Sequence, residues 1–148
     1  MTRAGLAALC LAGAAGAAGA APAQAGEVVI TVTDLRNTKG VVRACMTARA
    51  DVFPKCIKDP ESHRAVVAAG ETIEIRFTGV KPGRYAIALL HDENNNGKAD
   101  RAAGMMPKEG YGFSRDAPVR MSPPKFRDAV FDHGEKPQRL TIKMRYFL

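Results

Sequence analysis

The chain has 148 residues, 22 Lys+Arg against 15 Asp+Glu for a formal charge of +7, 46% hydrophobic and 25% charged residues, and no Trp. Such a composition suits one globular domain, or two very small ones. It excludes a large multidomain enzyme, a collagen-like chain and a wholly disordered one. The basic residues are scattered, which reads first as a solvated surface and second as an attraction to anionic lipid or polysaccharide.

Residues 1–25 carry one charge near the start, Arg3, then an uncharged Ala, Gly and Leu stretch that ends in Ala23-Gln24-Ala25. This is the pattern of a secretory signal peptide cut after Ala25, with a cut after Ala23 as the alternative, and it predicts a periplasmic or secreted protein. A membrane anchor is the competing reading, but Ala and Gly contribute little transfer energy. Cys10 follows Leu9 and no small residue, which argues against a lipoprotein, and no twin arginine is present. The expected mature chain, residues 26–148, is one domain with no transmembrane helix. It keeps two cysteines, Cys45 and Cys56. An even pair in an exported protein predicts a structural disulfide, and its closure of a loop of about ten residues is worth ~2–3 kcal/mol in the loop-entropy model. Two buried free thiols are the alternative, and the spacing is not the C-x-x-C of a redox pair.

Along that chain, the β-branched run of Val28 to Thr33 predicts a first strand, Arg36 to Gly40 a turn, and Val41 to Thr47 a second strand, together a β-hairpin. Residues 48–63, with Pro54 and Pro60, read as irregular. Arg64 to Ala68 is a short strand, and Thr72 to Phe77 alternates cleanly. Lys81-Pro82-Gly83 suits a type II turn, and the apolar Arg84 to His91 a central strand. Gln138 to Phe147 alternates as the last strand. Between these last two, Asp92–Pro137 is rich in Gly, Asn, Asp, Pro and Lys, with short elements expected around Val119 and Phe126–Phe131, including one helical turn. A long polar excursion from a β scaffold is where binding usually resides. About seven short strands with Gly/Pro turns predict an all-β, Greek-key β-sandwich, with a closed barrel as second choice.

The most informative stretch is His91-Asp92-Glu93-Asn94-Asn95-Asn96-Gly97-Lys98-Ala99-Asp100. The spacing D-x-N-x-N-G-x-x-D copies the first nine positions of a calcium loop. Asp92, Asn94 and Asn96 would converge on the ion, Lys98 would supply its carbonyl, Asp100 would bind directly or through water, and Gly97 would permit the sharp turn. The twelfth position is Ala103 where a bidentate Glu is required, and only two ligand carboxylates remain. The affinity expected for calcium is therefore weak, about 10⁻⁴–10⁻³ M. The alternative is an ion-free Asx turn in which Asn and Asp satisfy their own backbone.

The run GVKPGRYAIALLHDENNNGKADRAAGMMPKEGYGFSRDA resembles the signature of the "domain of unknown function 2141" family, P-G-x-Y-A, then H-D-x-N-x-N-G-x-x-D, then G-x-P-x-E-G-Y-G-F-S. The first block is carried by Pro82, Gly83, Tyr85 and Ala86. The second is carried by His91, Asp92, Asn94, Asn96, Gly97 and Asp100. The third runs from Gly104 through Pro107, Glu109 and Gly110 to Ser114, and Phe126, Asp128, Ala129 and Phe131 extend it. The resemblance spans nearly all of residues 26–148 and implies a small exported bacterial protein without an established activity, so it brings no catalytic residue. The Cys45/Cys56 pair is not expected in every member. The PGxYA entry is also similar to transthyretin-like and carboxypeptidase-regulatory-like modules, which implies a sandwich by analogy alone.

Glu109, Tyr111 and Phe113 form a candidate ligand surface, two flat rings spaced by glycines, with capping of the sandwich end as the plainer reading. Ser114 lies in G-F-S-R, without the second glycine of a nucleophile elbow. His63, His91 and His133 lack zinc spacing, and Lys does not interleave with aromatics as in single-strand nucleic-acid binders. The expectation is a non-catalytic binding or accessory module of the cell envelope, with a polysaccharide or protein as partner and no nucleic acid. Weakly bound calcium is the one cofactor expected. The alternatives are a metal-dependent or glycan-directed hydrolase using Asp92, Asp100 and Glu109, and a purely structural envelope protein.

Overall fold

A computed structural model describes residues 24–102 and 106–148, so the predicted signal segment up to Ala23, and Ala103, lie outside the described residues. The described chain is nearly all β. Its strands are β1 (Val28–Thr33), β2 (Val41–Thr47), β3 (His63–Ala68), β4 (Ile73–Phe77), β5 (Gly83–Asp92), β6 (Gly110–Phe113), β7 (Phe131–His133) and β8 (Gln138–Lys143). A 3-10 turn over Ser114–Asp116 and one short helix, α1 (Phe126–Ala129), complete it. Among the described residues no helix is long and apolar enough to cross a membrane.

The strands form two sheets. One has the order β4-β1-β8; the other runs β3-β2-β5, with β6 and β7 sharing the far edge of β5. The chain crosses between sheets from β1 to β2, β3 to β4, β4 to β5 and β7 to β8, the interleaved connectivity of a Greek-key sandwich. Alternation then builds the core. Ile30, Val32, Ile75, Phe77 and Ile142 of the smaller sheet face Val42, Met46, Ile87 and Leu89 of the larger one. Full burial of each such side chain is worth about 1.5–3 kcal/mol.

Several local expectations are corrected. β1 and β2 do not form a hairpin. β1 pairs with β4 and β8, whereas β2 pairs with β3 and β5, so Arg36–Gly40 lies in a crossover between sheets. Two adjacent alternating runs carry no information about which sheet each joins. Gly83 opens β5 without a left-handed backbone; the left-handed glycine of that connection is Gly79, φ 64°. The last strand ends at Lys143, not Phe147, and no strand forms around Val119. β6 and β7 bring the strands to eight. The disulfide Cys45–Cys56 is present, its Cα atoms 5.9 Å apart.

The outer face of the larger sheet is the second place where apolar residues gather. With Val42, Ala44 and Met46 turned inward, Arg43 and Cys45 point outward, opposite Leu90 and Ala88 on β5, and Cys45 is also opposite Arg64 on β3. Ala86, Phe113, Ala117 and Ala129 form a small outer cluster, with Phe53, Tyr111, Val119 and Phe126 packed on it. The 3-10 turn and α1 therefore lie over one end of this face, while Cys56 ties the 48–62 loop to it. Ser114 links the layers. Its buried hydroxyl donates to the Ala129 carbonyl (2.5 Å) and accepts from the Ile87 N–H (2.9 Å).

Candidate functional site

Asp92 ends β5 with its side chain fully buried. It is surrounded by donors. Arg43 Nε reaches Oδ2 at 2.7 Å, the Gly97 N–H reaches the same oxygen at 2.8 Å, and the Asn96 N–H reaches Oδ1 at 3.1 Å. Arg43 also donates to Asn95 Oδ1 at 2.8 Å. Burial raises the Asp92 pKa, but the Arg43 guanidinium and these two backbone N–H groups outweigh it and hold the carboxyl below its ordinary value. The turn is possible because Asn95 and Gly97 adopt left-handed backbone, φ 53° and 76°, which Asn and Gly tolerate.

The other predicted ligands sit just outside this knot. The side-chain amides of Asn94 and Asn96 both donate to the Asp100 carboxylate, at 2.8 and 2.9–3.0 Å. These bonds lower the Asp100 pKa. The Lys98 N–H donates to Asn96 Oδ1 at 2.9 Å, an Asx turn. Buried Glu109 accepts from the Asp100 N–H at 3.2 Å, and its pKa is raised, first by burial and then by the negative charges of Asp100 and Asp92. The loop thus brings Asp92, Asn94, Asn96, Asp100 and Glu109 together and satisfies most of their polar groups internally.

His91 belongs to the opposite face of β5, as alternation requires. Its ring lies 2.7 Å from the Tyr146 hydroxyl and 2.8 Å from the Lys39 carbonyl. It is a buried clamp joining the β1–β2 crossover to the C-terminal segment. Arg36 completes this end, stacked over the Tyr146 ring and ion-paired with Glu93, with its guanidinium on the Lys108 carbonyl. Among the described residues no group of three or more His, Cys, Asp or Glu side chains is placed to hold a metal ion.

Tyr111 and Phe113 project from β6 with parallel rings, centroids 6.5 Å apart. Phe113 is buried in the outer cluster, while Tyr111 is half-buried. Next to them, between the disulfide-tethered loop and residues 99–123, the outer face of the sheet opens into a groove of about 660 Å³. Its floor carries the outward-facing Cys45, Ala88 and Leu90, and its walls include Ile57, Val66, Met106, Tyr111, Phe113 and Met121. Sequence reasoning found Tyr111 and Phe113 but missed Ile57, Val66 and Met121, which lie far apart in the chain. Their signal was present as large apolar residues in otherwise polar or edge segments, uninterpretable without the fold.

A Greek-key sandwich with a groove on one sheet face and a self-bonded acidic turn beside it defines a class of β scaffold, not a chemistry. The chain belongs to the bacterial family described as "Uncharacterized protein conserved in bacteria (DUF2141)", whose family model matches residues 30–141. No curated protein and no solved structure matches the chain.

Proposed function

We propose that this protein is a non-catalytic binding module of the bacterial cell envelope, exported by its N-terminal segment, whose working surface is the groove on the outer face of the larger sheet. The observation that carries this is the exposure of apolar side chains. Five large hydrophobic residues are exposed among the described residues, and four of them, Ile57, Val66, Met106 and Met121, line the one groove. Exposed apolar groups gathered in a concavity mark a binding site more often than a solvated surface does. Flexible Met side chains suit a ligand of variable shape. The volume of about 660 Å³ falls within the range of small-molecule sites. An apolar lining favours an apolar ligand over the polysaccharide expected from charge and composition. Against hydrolysis, Asp92 and Glu109 are buried and hydrogen-bonded within the loop, whereas a pair of catalytic carboxylates must flank an open cleft.

The test is fluorescence of the neutral dye N-phenyl-1-naphthylamine, which brightens in apolar sites. The folded protein should enhance it saturably, and Val66→Asp, at an exposed edge-strand position, should abolish the enhancement with little change in melting temperature. Equal enhancement by that variant would defeat the reading.

A second reading keeps residues 92–100 as a weak calcium loop, favoured by the convergence of Asn94 and Asn96 on Asp100. At 10 mM calcium a site of about 10⁻⁴ M affinity adds ~2.7 kcal/mol of stability, several degrees in melting temperature. Magnesium should not reproduce the shift, and Asp100→Ala should remove it. No shift relative to chelator leaves the ion-free Asx turn.

A further inference from the structure

The charge around the groove says more than its shape. Five charged residues line it, Arg43, Lys55, Arg64, Arg101 and Arg120, and all are cations. No carboxylate is among the lining residues. Arg43 is already committed to Asp92 and Asn95. Lys55, Arg64 and Arg120 are exposed, and none of the three is in an ion pair among the described residues. They come from three different segments, the disulfide-tethered loop, β3 and the 117–125 stretch, so no single local run of basic residues places them together.

Building on the binding-module reading, we propose that the groove takes a monomeric amphiphile, with its single apolar chain between Ile57, Val66, Met106 and Met121 and its anionic head against Lys55, Arg64 and Arg120. The two halves of the ligand follow from two separate observations. The apolar floor and walls favour a tail, because they remove hydrocarbon from water. The one-signed rim favours a carboxylate, sulfate or phosphate head, because close to an apolar wall the attraction is less screened than in open solvent. Arg64 and Val66 are alternate residues of β3 and face the same side, so head and tail contacts meet along one strand. The concavity fits a free molecule better than a bilayer surface, which would meet a protruding apolar face.

Displacement of the neutral dye by dodecanoate, dodecyl maltoside and dodecyltrimethylammonium, each below its micellar concentration, separates tail from head. Dodecanoate should displace the dye at least about tenfold more tightly than the maltoside, and the cationic amphiphile least of all. The preference should shrink as salt is raised. The exposed double variant Arg64→Gln, Arg120→Gln should lower dodecanoate to the level of the maltoside without moving the maltoside itself. Equal displacement by all three heads would overturn the anionic ligand while leaving the groove as a binding site. Binding to anionic vesicles without displacement by dissolved dodecanoate would overturn the free amphiphile. A dye that never binds would bring down both the ligand and the reading beneath it.

Discussion

Asp92 and Glu109 are two buried carboxyls, one in the acidic turn and one packed against it, shifted in opposite directions because their partners differ. Asp92 receives a guanidinium and two backbone N–H groups, which outweigh its burial. For Glu109, burial and the neighbouring negative charges of Asp100 and Asp92 outweigh the backbone hydrogen bonds from Asp100, at 3.2 Å, and Glu93. For Glu109, the folded pKa lies above the unfolded one. Its contribution to stability is complete below the ordinary carboxyl value and is lost as pH rises through the raised folded value. Glu109→Gln preserves the acceptor and removes the charge. It should therefore melt above the parent near pH 7, and the advantage should fade toward about pH 4, where the parent is itself neutral. A melting-temperature series against pH checks this; an advantage independent of pH would mean that packing, not charge, is responsible. Asp92 has the opposite sign, and its contribution is lost as pH falls through its depressed folded value.

At the scale of elements, the disulfide holds the wall of the groove. Cys45 is on the outer face of β2, and Cys56 leads directly into Ile57 and follows Lys55, both groove residues. Cys45→Ser with Cys56→Ser should cost about 2–3 kcal/mol in chemical denaturation. It should also weaken dye binding in the fraction that remains folded, since the tethered loop loses its anchor. Unchanged dye affinity in the folded variant would show that the loop keeps its place by packing alone.

Element by element, the strands whose side chains alternate between core and solvent were legible. β1, β2, β3, β4 and β5 lie close to where period-two patterning places them, and so does the helical turn at Phe126. β6 was not, because its inward positions are glycines. An added Cβ at Gly110 would come within 2.3 Å of the Tyr146 ring, so the core is filled there by a side chain arriving from the C-terminal segment. A strand whose inner face belongs to another segment shows no hydrophobic alternation of its own. Sheet membership was also invisible, since it depends on pairing partners distant in sequence. The acidic turn was legible as a motif, because Asx and Gly positions encode local geometry. The groove was not, because its lining is assembled from several separate segments.

At the scale of the whole molecule, the central strand of the smaller sheet, β1, pairs in parallel with the edge strand β8, in register from Val28 opposite Gln138 to Thr33 opposite Lys143. The pairing continues at the base, where the Gln138 N–H donates to the Glu27 carbonyl at 2.9 Å. Ile142 of β8 is fully buried in the core. The earliest strand therefore waits for the latest. During vectorial synthesis, or threading through a membrane pore, β1 has one bare edge and the core lacks a wall until residues 138–143 have emerged. Long-range pairing of this kind folds slowly and leaves strand edges exposed meanwhile. In this topology the last strand closes the sheet that the first strand opens, so the smaller sheet is complete only when β8 is in place.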